Sequence, residues 1–138
     1  MKKVFFMHKL ALDYMQKLLA IPSPTGFTDK AADYLMETLQ GMGFQPRKQR
    51  KGGVYCELGG EGRGLLLSAH VDTLGFMVRK VDGDGMIRVR VLGGMNLHSA
   101  ESEFVTVHTR DGKAYSGTFL CQSLDQQTIG LNHHLDIR

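Results

Sequence analysis

The spacing of apolar residues changes character along the chain, helical at first and alternating later. Leu10, Ala11, Tyr14, Met15, Leu18 and Leu19 recur at helical spacing and predict a helix with one apolar face over residues 10–20. The stretch IPSPTG, Ile21 to Gly26, stops it: Pro22 and Pro24 stiffen the backbone and Gly26 frees it to turn. Thr28 can cap a second helix running to about Gln40, with Ala31, Ala32, Leu35, Met36 and Leu39 on its inner face and Gly41 to Gly43 as its stop.

Beyond that helix the period is two. VYCEL (54–58), LLLSA (65–69), GFMVRKV (75–81), MIRVRV (86–91), FVTVHT (104–109) and AYSGTFL (114–120) are predicted strands, with GGEGRG, DGDG and RDGK as turns. In MIRVRV, Ile87, Val89 and Val91 face one way and Arg88 and Arg90 the other, as in a sheet with one wet face. LLLSA is apolar on both faces, which predicts a central strand covered from both sides. Residues 122–138, QSLDQQTIGLNHHLDIR, show no clear period and no core-sized apolar cluster, so they read as a poorly structured tail or an interrupted element.

Composition adds bounds. A chain of 138 residues, 42% hydrophobic, is long enough to bury a core as one unit. A net charge of +3 is a mild excess that requires no nucleic-acid partner, and the run Arg47, Lys48, Arg50 and Lys51 lacks interleaved aromatics that would stack on bases. A solvated edge strand is the better account of that run. Cys56 and Cys121 match no ligand spacing and read as buried, reduced thiols of a cytosolic protein. MKKVFFMHKLAL begins like a secretion signal, but His8 and Lys9 break the apolar run and no small-residue cleavage site follows before IPSP. No stretch approaches a membrane span, so the expected location is cytoplasmic, with no membrane partner.

The chemistry centres on GLLLSAHVDTLGF, Gly64 to Phe76. A bare His-x-Asp carries little weight, and the spacing recurs at His134 and Asp136. His70 differs by standing at the carboxyl end of the strand-like run, where open α/β sheets gather ligands and catalytic groups. Residues two apart on an extended backbone point to the same side, so Asp72 can accept the His70 ring N–H and leave the other nitrogen for a metal. On spacing and position alone, a strand-end histidine satisfied by a local carboxylate competes with that reading. Asp82 and Asp84 lack the roughly twelve-residue pattern of a calcium loop and read as a hairpin turn. His98, Glu101 and Glu103 read as a polar loop, and His133 and His134 as a solvated tail. No phosphate-cradling glycine loop and no Ser or Cys nucleophile signature is present.

Taken together, LLAIPSPTGFTD, LLLSAHVDTLGFMV, VDGDGMIRVRVLGGM and VTVHTRDGKAYSG resemble the N-terminal part of the glutamyl aminopeptidase family, from about Leu10 to Leu120. Its members are cobalt- or zinc-dependent enzymes that often build tetrahedral dodecamers and are sometimes labelled endoglucanases. The resemblance implies an α/β fold: the start of a doubly wound metallopeptidase catalytic domain, of the phosphorylase/hydrolase-like kind, over residues 1–73. A PDZ-like β-rich inserted domain would occupy 74–120, and a tail of uncertain structure 121–138. It further implies that His70 ligates one of two metal ions and that Asp72 orients its imidazole. Zinc or cobalt is expected, with manganese possible, and the substrate would be a peptide trimmed from its amino end. The PDZ-like segment would mediate homo-oligomer formation. Where the family often has Glu after this Asp, Thr73 stands here. The family places its other ligands and its general base downstream of the insertion, so this chain is expected to be a truncated member without activity of its own. A non-catalytic oligomerisation or peptide-docking module is the alternative.

Overall fold

In a computed structural model, the backbone is described for residues 2–123 and 126–131 and the side chains for residues 7–120. Contacts divide the chain into two units, Met1–Leu74 and Gly75–Arg138.

In the first unit, helix α1 spans Lys2–Leu19. It starts earlier than the apolar period predicts because KKVFFMHK contains neither Gly nor Pro to stop it. Lys17 and Asp13, four apart, pair at 2.7 Å on its surface. Helix α2 spans Asp29–Gly41. Thr28 occupies its N-cap position, but the Thr28 side chain makes no cap bond; Asp29 in the first turn supplies a favourable charge instead. Strands β1 (Arg47–Lys48) and β2 (Val54–Tyr55) form an antiparallel pair with Arg47 opposite Tyr55. α2 packs on this pair, and Ala31 and Ala32 are buried. Lys48 ties the two layers together, reaching Asp29 at 3.1 Å and Asp33 at 2.9 Å. Half of the basic run is thus a short exposed strand, as its lack of aromatics predicts. Among the described residues no helix is long and apolar enough to cross a membrane.

Three expectations for this unit need correction. VYCEL forms a strand only at Val54 and Tyr55, and Cys56 is half-buried and free rather than fully buried; the side chain of Cys121 lies outside the described residues. LLLSA forms no strand: Leu65, Leu66 and Leu67 are 84%, 87% and 80% exposed. A strand apolar on both faces needs cover over each face and a paired neighbour along its edges, and no described strand lies beside this one.

The second unit is an antiparallel sheet in the order β3-β4-β7-β6-β5. Its strands are β3 (Gly75–Val81), β4 (Ile87–Leu92), β5 (Phe104–His108), β6 (Ala114–Ser123) and β7 (Gln126–Leu131). A short 3-10 turn, Leu97–Ser99, precedes β5. Alternation fixes the faces: Ile87, Val89 and Phe119 form a buried cluster, with Phe76, Leu97, Ala100, Val105 and Val107 against it. Phe76 stacks on Phe119 with ring centroids 4.5 Å apart. Strand β7 lies where no period is visible; pairing with β4 on one side and β6 on the other satisfies its backbone. Residues 132–138, part of the expected tail, lie outside the described residues.

DGDG is a hairpin turn, as its glycines predict. Asp82 N–H donates to Met86 O at 2.8 Å, Gly85 takes φ +85°, and the Asp84 carboxylate accepts from Met86 N–H at 3.0 Å. Asp82 also pairs with Lys80 at 2.7 Å and with Arg88, joining β3 to β4. Hydrogen bonds from Lys80 and Arg88 hold its carboxyl below the ordinary value of 3.8. A depressed carboxyl stabilises the fold above 3.8 and loses that contribution as pH falls through its lower folded value. Asp82→Asn is therefore expected to lower the melting temperature at neutral pH and flatten the acid limb of a stability–pH curve below 3.8. Parallel acid titrations of parent and variant, followed by circular dichroism, check this; superimposable curves would refute it.

Candidate functional site

His70 and Asp72 meet as their spacing predicts. His70 Nδ1 lies 3.1 Å from Asp72 Oδ1. A carboxylate only accepts, so in the neutral ring Nδ1 carries the proton and Nε2 holds the free lone pair. Nε2 has no partner among the described residues, and the His70 side chain is 86% exposed.

What positions this pair is the proline-stiffened loop after α1. Ser23, fully buried, donates its hydroxyl to the Val71 carbonyl at 2.9 Å, and Thr73 N–H donates to Ser23 O at 2.9 Å. Pro24 and Thr73 form a parallel bridge. Thr25 Oγ1 then donates to Asp72 Oδ2 at 3.2 Å. One Asp72 oxygen therefore serves His70 and the other Thr25, which fixes the carboxylate plane and, through it, the imidazole. Ser23 and Thr25 did not emerge from the sequence as site residues. Their hydroxyls within IPSPTG were the available signal, but their partners lie 48 and 47 residues away.

The donor set has a clear limit. Among the described residues no three His, Cys, Asp or Glu side chains gather where a metal ion could sit. His98, Glu101 and Glu103 do not form such a group; His98 N–H instead donates to the Asn96 side chain at 3.1 Å, closing a local turn. His133, His134 and Asp136 lie outside the described residues. His70 and Asp72 fit one metal ligand and its orienting carboxylate, and do not fit a whole metal centre. A shallow concavity of about 260 Å³ at Phe44, Arg47, Tyr55 and Glu57 includes neither residue.

Comparison with known proteins gives this geometry a context. The profile of the M42 glutamyl aminopeptidases matches residues 52–130. The chain is 36% identical over 111 residues to the Bacillus subtilis protein YhfE, covering 79% of this chain and 32% of that one. It is 32% identical over 104 residues to the glutamyl aminopeptidase of Lactococcus lactis, covering 73% of this chain and 29% of that enzyme. The fold is similar to that of the aminopeptidase APDkam598 from the archaeon Desulfurococcus kamchatkensis, with a TM-score of 0.78 over 90% of this chain and 38% of that one. At 24% identity, that likeness speaks for the mixed α/β fold alone. The chain spans about a third of the length of the curated relatives it matches.

Proposed function

The chain belongs to the M42 glutamyl aminopeptidase family, and on that premise we propose that it carries the N-terminal part of a metal-dependent aminopeptidase. His70 Nε2 would be one ligand of a two-metal centre and Asp72 its orienting carboxylate. The observation that carries this reading is the pair itself: Nδ1 of His70 lies 3.1 Å from the Asp72 carboxylate, and the ring is otherwise exposed to solvent. In a complete centre zinc or cobalt, with manganese a further choice, supplies an activated water for release of the N-terminal residue of a peptide. This chain's own residues contribute position: Ser23 pins residue 71, Thr25 and Asp72 fix the imidazole, and His70 presents one nitrogen. Among the described residues no further His, Cys, Asp or Glu side chains gather with this pair, so the other ligands of such a centre would come from elsewhere.

Two outcomes follow for the 138-residue chain. Zinc or cobalt is expected to bind far more weakly than the roughly 10–16 kcal/mol of a complete structural zinc site. In a nuclear magnetic resonance titration, the ring signals of His70 shift on adding zinc while those of His70→Ala give no counterpart; an unchanged His70 at saturating zinc would refute the assignment. Peptide hydrolysis by the metal-loaded chain is expected to stay at the buffer rate, and amino-acid release that disappears in His70→Ala would overturn this part of the reading.

A second reading rests on the open edges of the five-stranded sheet. β3 and β5 end it, with Met77 58% and Phe104 81% exposed. Such edges suit a PDZ-like inserted domain that pairs with another subunit or accepts an extended peptide. Light scattering after size exclusion tests it: a discrete oligomer lost on Phe104→Lys favours this reading, and a monomer at all concentrations contradicts it.

A further inference from the structure

We infer, on the reading of His70 as a metal ligand, that Gly26 is its positioning residue: the left-handed backbone at Gly26 aims Thr25 at Asp72 and so decides which nitrogen of His70 stays open. Pro24, Thr25, Gly26 and Phe27 make one tight turn, closed by Phe27 N–H donating to Pro24 O at 2.8 Å, with Gly26 at φ +87°. Among the described residues Ser102 is the one non-glycine with positive φ, so Thr25 keeps a negative φ and the turn is of type II. The third residue of such a turn must be left-handed, and glycine takes that conformation at no steric cost.

Both ends of the turn are held. Pro24 bridges Thr73, Ser23 O accepts from Thr73 N–H at 2.9 Å, and on the far side Thr28 O accepts from Ala32 N–H at 3.0 Å as α2 begins. With its ends fixed, the turn can absorb a change of φ at Gly26 only by moving Thr25. Thr25 Oγ1, 3.2 Å from Asp72 Oδ2, is the second anchor of a carboxylate whose other oxygen lies 3.1 Å from His70 Nδ1. Once Thr25 moves away, the carboxylate can rotate and its hold on Nδ1–H weakens, so the neutral ring can carry its proton on either nitrogen. A proton on Nε2 removes the lone pair that a metal needs. The turn therefore sets the ring before any metal arrives. A Cβ placed on Gly26 meets no atom within 4 Å, so Gly26→Ala acts on the turn through φ alone.

Nuclear magnetic resonance of the imidazole nitrogens tests this in the full 138-residue chain without metal, at a pH well above the usual imidazole range. The His70 ring is identified by its loss in His70→Ala, and its nitrogen shifts give the ratio of the two neutral forms. The parent is expected to hold its proton mainly on Nδ1. Gly26→Ala is expected to move the ratio about two- to ten-fold toward Nε2–H, the weight of one hydrogen bond. Gly26→Asn, which adopts left-handed backbone more readily, is expected to keep more of the parent ratio. Thr25→Ala is expected to shift it as Gly26→Ala does, and the double variant no further, because both changes act along one path. A Gly26→Ala ratio equal to the parent's would overturn the inference and leave the ligand reading of His70 standing. So would a Gly26→Ala shift that is equally large with and without the Thr25 hydroxyl. A parent ring protonated mainly on Nε2 would overturn both.

Discussion

Phe119→Ala is expected to unfold the Gly75–Arg138 unit, with a loss of about 3–5 kcal/mol. Phe119 is the largest fully buried side chain in the described structure, and it closes the cluster between Ile87 and Val89 of β4 and Phe76 of β3. Its backbone is engaged as well: Phe119 N–H donates to Glu103 O at 3.0 Å, and Phe119 O accepts from Ser102 N–H at 2.9 Å. Truncating the ring removes the stacking partner of Phe76 and leaves a void that β4 cannot fill without giving up its register. A core this small rarely supplies more than about 3–5 kcal/mol in total, so the loss matches the whole margin. Phe119→Leu, which keeps most of the volume, is expected to fold with a lower midpoint. Urea denaturation followed by circular dichroism separates the variants, and a Phe119→Ala midpoint equal to the parent's would show that the cluster does not hold the sheet.

The second large effect is at the candidate site and is read in a chimera, this chain joined to the part of the Bacillus subtilis relative that it does not span. There, Asp72→Asn is expected to lower metal affinity about 10–100-fold, the usual loss when a histidine ligand's hydrogen-bond partner is removed. The amide side chain can no longer accept the Nδ1 proton with a full charge, and the imidazole is free to turn. Thr25→Ala is expected to act in the same direction with a smaller loss, since it releases only the second Asp72 oxygen. Competition with a fluorescent zinc chelator measures both. Affinities for Asp72→Asn and Thr25→Ala equal to the parent's would mean that the hydrogen bonds at residues 70–72 are only local.

The strands that alternate in the sequence are the ones whose stability is local. Ile87 and Val89, and then Val105 and Val107, declare an inner face by period alone, and the DGDG and RDGK turns close where their glycines permit positive φ. LLLSA was misleading for the opposite reason: its pattern reports what the segment requires, cover over both faces, and not what the described chain provides. β7 escaped notice because QQTIGL shows too short an alternation to declare a face and holds its place by backbone pairing on both sides, which no side-chain period records. At the site, the His70–Asp72 contact was legible because it spans two residues. Thr25 was not, because a loop and a parallel bridge bring it from the other end of the unit.

The most direct test of a metal-ligand role for His70 is the metal content of that chimera, measured by native mass spectrometry with and without His70→Ala. The parent is expected to retain two divalent ions per chain and the variant to lose at least one of them together with release of N-terminal residues. A His70→Ala chimera that keeps both ions and the parent's activity would contradict the account.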